Sequence, residues 1–317
     1  MKKPNEKDII KIFQKQLGNK KFVSEDVEVF SLGKTSFVTK IDTLVESTDI
    51  PSGMSIQESV RKSVVACVSD FAVKGVKPSY GMVSVTIPRK FSQKKIKALA
   101  SGLSKAAKEF QIKILGGDTN EGKELVIQVS IFGITKNIVQ RKGAKVNDVI
   151  ITTGPFGYQL AGLKIIQKKK KASKKFRTKV KNALFRPTPR LRFGLGNSKY
   201  FSSSMDSSDG LSTTLHEMAT QSKKRFVITK IPANQDLFEF ANLNKISPLE
   251  LIFHGGEEYK IVATVPSKYL SKVKKNARSQ NISLFVIGMV TKGRGVVYSH
   301  DEKIMKIKNK GWLHFQS

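Results

Sequence analysis

Six aspartates stand among small residues in a strongly basic chain: Asp26 in Ser-Glu-Asp-Val-Glu, Asp42 in Lys-Ile-Asp-Thr-Leu, Asp70 in Val-Ser-Asp-Phe-Ala, Asp118 in Leu-Gly-Gly-Asp-Thr, and Asp206 with Asp209 in Met-Asp-Ser-Ser-Asp-Gly. With 57 Lys and Arg against 25 Asp and Glu, a carboxylate finds a salt-bridge partner easily. These six, however, fall at the ends of predicted strands and helices, beside residues too small to cover a ligand. A few carboxylates in open surroundings suit Mg²⁺, which takes oxygen ligands and keeps room for water and substrate phosphates. The chemistry expected is the handling of nucleotide phosphates through several magnesium ions.

Each position has a plainer alternative. Asp70 falls in the last turns of a helix, where the negative end of the macrodipole disfavours a carboxylate. Lys74, four residues on, offers it a salt bridge. Gly116-Gly117-Asp118 follows a short apolar strand; it is either a phosphate approach or a turn between strands. Asp206-Ser-Ser-Asp209-Gly joins a strand to a helix N-terminus, where free backbone N–H groups face the same spot as two carboxylates. Asp209 alone could cap that helix, but a cap does not require Asp206 as well. The chain has no P-loop and no kinase His-Arg-Asp or Asp-Phe-Gly motif. A phosphate-ester acceptor, with a second pKa near 6, is already ionised at neutral pH and needs no general base. What it needs is relief of repulsion between two anions.

The elements that position these residues are legible in outline. A helix is predicted over Pro4–Leu17, with Ile9, Ile12, Phe13 and Leu17 on one face. Strands are predicted near 27–31 and 37–42. The capping box Ser55-Ile-Gln-Glu58 opens a helix that buries Ile56, Val60, Val64, Val68 and Phe71 and closes at Gly75. A strand over 80–87, a helix capped by Ser92 carrying Ile96, Leu99, Leu103 and Phe110 inward, a short strand at 112–115 and a strand at 125–134 follow. Near Gly143 a second unit begins, with strands at 149–153, 201–205, 225–229, 258–265 and 284–289. Between these lie a glycine-led helix, the lysine-rich stretch and a helix burying Leu211, Leu215, Met218 and Ala219. The reading is an α+β chain of two units, 1–140 and 141–317.

Composition sets bounds. The chain has 317 residues, 39% apolar and 26% charged, as a folded domain pair should. No apolar run reaches membrane-span length, and the first residues lack a signal-peptide core. One cysteine, Cys67, excludes an internal disulfide and a thiolate zinc site, and the four histidines lack metal-ligand spacing. A cytoplasmic protein is expected. The net charge of +32 is densest from Val149 to Met205, which holds fourteen Lys or Arg and no acid. With few aromatics to stack bases, this run reads as a solvated basic surface with no specific nucleic-acid partner.

Taken in order and spacing, the motifs resemble those of the thiamine-monophosphate kinase family, archaeal branch, within the PurM-like ATP-binding superfamily. The matching segments are Asp42-Thr-Leu-Val-Glu, Ser69–Pro78, Gly116–Thr119, Arg141–Lys145, Thr153-Gly154 with Gly157, Asp206–Gly210, Gly255–Tyr259 and Gly311–Phe315. The resemblance implies a two-domain PurM-like fold in which an ATP- and Mg-binding N-terminal domain forms a homodimer. It implies transfer from ATP to thiamine monophosphate by an in-line step. It carries magnesium to Asp26, Asp42, Asp70, Asp118, Asp206 and Asp209, with Lys40 and Ile41 offering backbone only. ATP contacts fall on Gly117, Asp118, Arg141 and Ser208, and substrate contacts on Asp49, Glu257 and Trp312. The chain departs from the pattern at Ser24-Glu25, at Lys40-Ile41 where hydroxyl residues are common, and at Asp49 where histidine is common. Aminoimidazole-ribonucleotide synthetase, which shares the fold, is the alternative enzyme; a polyanion-binding protein with a retired site is the alternative of another class.

Overall fold

The computed structural model describes residues 4–19, 22–301 and 303–315. Helix α1 (Glu6–Gln16) is closed at its start by a capping box on Asn5. Then come β1 (Glu28–Leu32), β2 (Thr35–Val45), the single turn α2 (Glu46–Asp49), α3 (Ile56–Lys74), β3 (Tyr80–Pro88), α4 (Gln93–Phe110), β4 (Lys113–Gly122) and β5 (Val126–Ile134). The five strands form one sheet in the order β1-β2-β5-β3-β4, antiparallel except for the β3–β4 pair. Its inner face (Val38, Leu44, Val83, Val85, Ile127, Val129, Ile131) packs on α3 and α4, and alternation along the strands leaves the other face open.

The second sheet is built from β6 (Val149–Thr152), β7 (Ser203–Asp206), β8 (Arg225–Ile228), β9 (Ile261–Val265), β10 (Phe285–Thr291), β11 (Gly295–His300) and β12 (Lys303–Lys306), in the order β12-β11-β8-β10-β6-β9-β7. Around it lie α5 (Tyr158–Lys168), α6 (Lys174–Phe185), α7 (Leu191–Asn197), α8 (Leu211–Ser222), α9 (Gln235–Leu243), α10 (Pro248–His254) and α11 (Leu270–Ser279).

Helix α3 joins the two halves. The Ser55–Glu58 capping box forms as predicted, and Gly75 ends the helix with φ of +70°. Fourteen of its residues are buried, because it is sandwiched: Val60, Val64, Val68 and Phe71 enter the first core, while Ala72 and Val73 pack with Val149, Ile151, Ile261 and Ala263 of the second sheet. A helix covered on all sides has no polar face. Its polar residues must therefore find partners inside the protein.

Several expectations are revised. Of the face expected on α1, Ile12, Phe13 and the C-cap residue Leu17 remain exposed and Ile9 is only half-buried, since no described residue covers that face in full. Ile96 is also exposed, beyond the reach of the core that takes Leu99 and Phe110. β4 continues through Gly116-Gly117-Asp118, where a phosphate approach or a turn was expected, because after a register shift at Leu115 its pairing with β3 runs residue by residue from Met82–Gly116 to Pro88–Gly122.

Candidate active site

A cleft of about 590 Å³ lies between the two sheets, floored by α3 and β2 and walled by the β7–α8 loop, the 255–259 segment and α5. Asp42, Asp70, Asp206 and Asp209 line it, and with them Arg141, Ser208, Asp49, Glu257 and Trp312. Asp42 and Trp312, 270 positions apart in the sequence, thus share one space. Asp26, Asp70 and Asp206, all buried, each place one carboxylate oxygen within 4.8 Å of the others.

Asp26 is held by cations of the protein itself. Lys74 Nζ lies 2.7 Å from it, and Arg141 donates through Nε at 2.9 Å and Nη2 at 2.5 Å. Burial alone would raise this carboxyl, but Lys74 and Arg141 outweigh it and hold Asp26 below its ordinary range. The partner expected for Asp70 therefore lies elsewhere: Lys74 turns to Glu25 (2.5 Å), Asp26 and the Ser204 carbonyl (3.1 Å).

Asp70 instead meets Lys40, whose Nζ is 2.9 Å from Asp70 Oδ2 and 3.8 Å from Asp42 Oδ1. Lys40 thus contributes its side chain, where only backbone was expected. Burial would lower this ammonium, but Asp70 and Asp42 raise it well above the lysine range. Asp206 accepts a hydrogen bond from Ser69 Oγ at 2.8 Å. Burial, then the Asp26 charge, pushes Asp206 up to about 7; burial, then Glu6, takes Asp209 to about 6. Asp70 is raised well above its range by burial and by Asp206, Asp42 and Asp26, against the pull of Lys40. Asp209 makes no cap: Gly210 holds the N-cap position of α8 without a side-chain bond. Buried carboxyls crowded until they resist ionisation are a donor set that a divalent cation satisfies, so the residues fit magnesium.

On the other side of the cleft Lys62 is buried, donating to the Asp49 carbonyl at 2.7 Å and pairing with Glu257, which has φ of +62°. The sequence reading missed Lys62 and gave Lys74 another partner; the signal was two lysines in a helix whose other faces are apolar or small. Asp49 differs from expectation in that its carboxylate accepts the Val45 N–H at 2.7 Å, tying down α2. Glu258, also overlooked, is fully buried and accepts the Gly157 N–H at 2.6 Å, fixing the start of α5. Through α5 the basic stretch reaches the cleft: Lys164 and Lys168 line it, while Lys174 and Lys175 face solvent.

The tail folds back over the cleft. Trp312 N–H donates to the Asp209 carbonyl at 2.9 Å, and the ring stays 58% exposed. A side chain at Gly311 would lie 2.0 Å from Thr213 Oγ1, so only glycine lets the tail lie this close. Asp118 and Gly117 are not brought to the cleft. They sit on the exposed edge strand β4, where Asp118 accepts from Asn120 at 2.7 Å. Gly117 serves strand pairing, as a Cβ there would meet the Val83 carbonyl at 1.7 Å. Ile41 points to the open sheet face, 54% exposed, and is absent from the cleft lining.

Residues 24–135 match the AIR synthase related protein N-terminal domain, and residues 145–301 its C-terminal domain. The chain is 53% identical to a thiamine-monophosphate kinase of Nitrosopumilus maritimus over 100% of both chains. It is 32% identical to one of Pyrococcus horikoshii over 100% of this chain and 98% of that one. The solved structure of AaThiL complexed with AMPPCP and TMP superposes with a TM-score of 0.86 at 25% identity, covering 98% of this chain and 97% of its own. The α+β, two-part PurM-like architecture is thereby shown, and the chain belongs to the thiamine-monophosphate kinase family.

Proposed function

We propose that this protein transfers the γ-phosphoryl group of ATP to the phosphate of thiamine monophosphate, giving thiamine diphosphate and ADP. The observation that carries the reading is the convergence of Asp26, Asp70 and Asp206 beneath a cleft in a chain that aligns end to end with kinases of that name. The acceptor phosphate is the nucleophile and is ionised at neutral pH, so no side chain need remove a proton. Magnesium ions, held by Asp42, Asp70, Asp206 and Asp209 with Asp26 behind them, would screen the two approaching anions and draw charge from the leaving group. Arg141 and Ser208 border the side assigned to ATP. Lys62 holds Glu257 at the side assigned to the acceptor, and Trp312 offers a ring face to the cationic thiazolium. Lys164 and Lys168 on α5 raise the local concentration of anionic substrates.

We take residues 1–140 as the ATP-binding and dimer-forming unit, 141–317 as the second, and the cytoplasm as the compartment; no helix among the described residues is long and apolar enough to cross a membrane. A homodimer suits the open face of the first sheet, which exposes Ile41, Tyr80, Met82 and Ile134 with no helix over them among the described residues. Contiguous apolar surface of this kind marks an interaction site. Asp118 pairs in register with Ser84 on that face, so its part in the reaction is proposed only within the dimer.

The test is ADP release by the purified protein with magnesium and, in turn, thiamine monophosphate, thiamine and the aminoimidazole-ribonucleotide precursor. Turnover with the first alone is expected, and turnover with only the last would assign the chain to the other enzyme. Light scattering should give twice the 35.2 kDa chain mass; a monomer at micromolar concentration would remove the dimer from the proposal.

A further inference from the structure

The cleft floor divides its cations unevenly. Lys74 and Arg141 are committed to Asp26 and Glu25, and Lys62 to Glu257 and the Asp49 carbonyl. Asp42, Asp70, Asp206 and Asp209 are left with one ammonium in salt-bridge distance among the described residues, that of Lys40. Strand geometry puts it there. On β2 the inward positions alternate, so Lys40 and Asp42 point the same way across the outward Ile41. Both therefore face Asp70 on α3. The Lys40 side chain is only 26% exposed and lines the cleft, and its ammonium lies between the two carboxylates.

An ammonium supplies a unit charge and three donors but no ligand oxygens. Between two carboxylates it meets the same need for neutralisation as a metal ion, without competing for water or phosphate ligands. We propose that Lys40 is a built-in cation of this site, occupying between Asp42 and Asp70 the place of one divalent ion, so that the protein binds one metal ion fewer than its carboxylates would otherwise take. The proposal rests on the kinase reading only in expecting metal at the site. It makes Lys40 a determinant of how many ions the protein needs. Asp70 keeps its other oxygen for the ions that remain, and Asp206 keeps the oxygen that does not accept the Ser69 hydroxyl.

The test counts ions rather than turnover. Mn²⁺ is titrated into nucleotide-free protein and the unbound ion is read by electron paramagnetic resonance, for the wild type and for Lys40→Met, which keeps length and volume without charge. The variant should take up one more Mn²⁺ per chain. Equal, non-zero counts with equal affinity would overturn the role of Lys40 and leave the kinase reading standing. If neither protein takes up Mn²⁺, the multi-metal reading falls and this proposal with it. Should Lys40→Met fail to fold, wild-type crystals grown in Mn²⁺ decide through anomalous scattering. Lys40 Nζ between Asp42 and Asp70, with no ion bridging that pair, supports the proposal. An ion bridging them, with Lys40 turned out, refutes it.

Discussion

Asp26 and Asp206 present oxygens within 4.8 Å of each other at the base of one cleft, yet their surroundings push them in opposite directions. Asp26 is fully buried but lies between Lys74 and Arg141, and stays ionised. Asp206 is equally buried with a hydroxyl for a partner, and is held up to about 7. Burial alone does not decide the state of a carboxylate; the cations supplied with it do. One half of the site carries its own counter-charges and ties α3 to the 24–26 and 141 segments. The other half is short of positive charge and, on the proposed function, would accept it from outside.

Substitution should break this contrast most sharply. Asp206→Asn is expected to cut kcat by about 10³-fold, in the range for loss of a group that stabilises transferring charge. It should leave Tm unchanged or raised, since it removes crowding. Asp26→Asn strands the buried Lys74 ammonium with a weakened partner set and should cost about 3–5 kcal/mol of stability. Calorimetry beside steady-state rates separates the two, and a large Tm loss in Asp206→Asn would erase the distinction.

Protonation sharpens it next. Asp206 and Asp209 are raised in the folded, metal-free protein. Their contribution to stability is complete below the ordinary carboxylate range and is lost as pH rises through about 6 to 7. Magnesium, which binds the ionised forms, should therefore raise Tm more at about pH 8 than at about pH 5. Asp26 is lowered, so its contribution is lost only as pH falls below the ordinary range. Melting curves in EDTA and in magnesium across this range give the answer; a magnesium effect independent of pH would contradict the assignment.

Smaller effects test the rim. Trp312→Ala should raise KM for thiamine monophosphate roughly tenfold, about 1.4 kcal/mol and so between an exposed and a desolvated cation–π contact. KM for ATP and Tm should barely change, because the ring is largely exposed and outside the cores. Early melting with normal KM values would make it structural. Smallest of all, glutamine at Lys170, Lys171, Lys174 and Lys175 should leave kcat unchanged. Any loss in kcat/KM should fade at high salt, as exposed charges are screened beyond about 8–10 Å.

Much of this was legible in the chain. The capping box at Ser55, the Gly75 stop and the apolar spacing of α3 and α8 are local signals, and both helices form where periodicity places them. The sequence singled out Asp42, Asp70, Asp206 and Asp209, and the fold brings these four to one cleft. Partner choice was not legible. Lys74 lies one helical turn from Asp70 yet bonds Asp26, because α3 is enclosed and each charge takes the partner that folding brings to its own side. For the same reason Asp118, indistinguishable in sequence from a cleft residue, lies on the open face of β4, fixed there by its register with β3. Local spacing determined the elements and the inventory of chemical groups. Which carboxylates are neutralised from within and which are left to recruit a cation was decided only when two sheets closed on α3, because charge pairing acts through space over a few ångströms and the chain order does not record it.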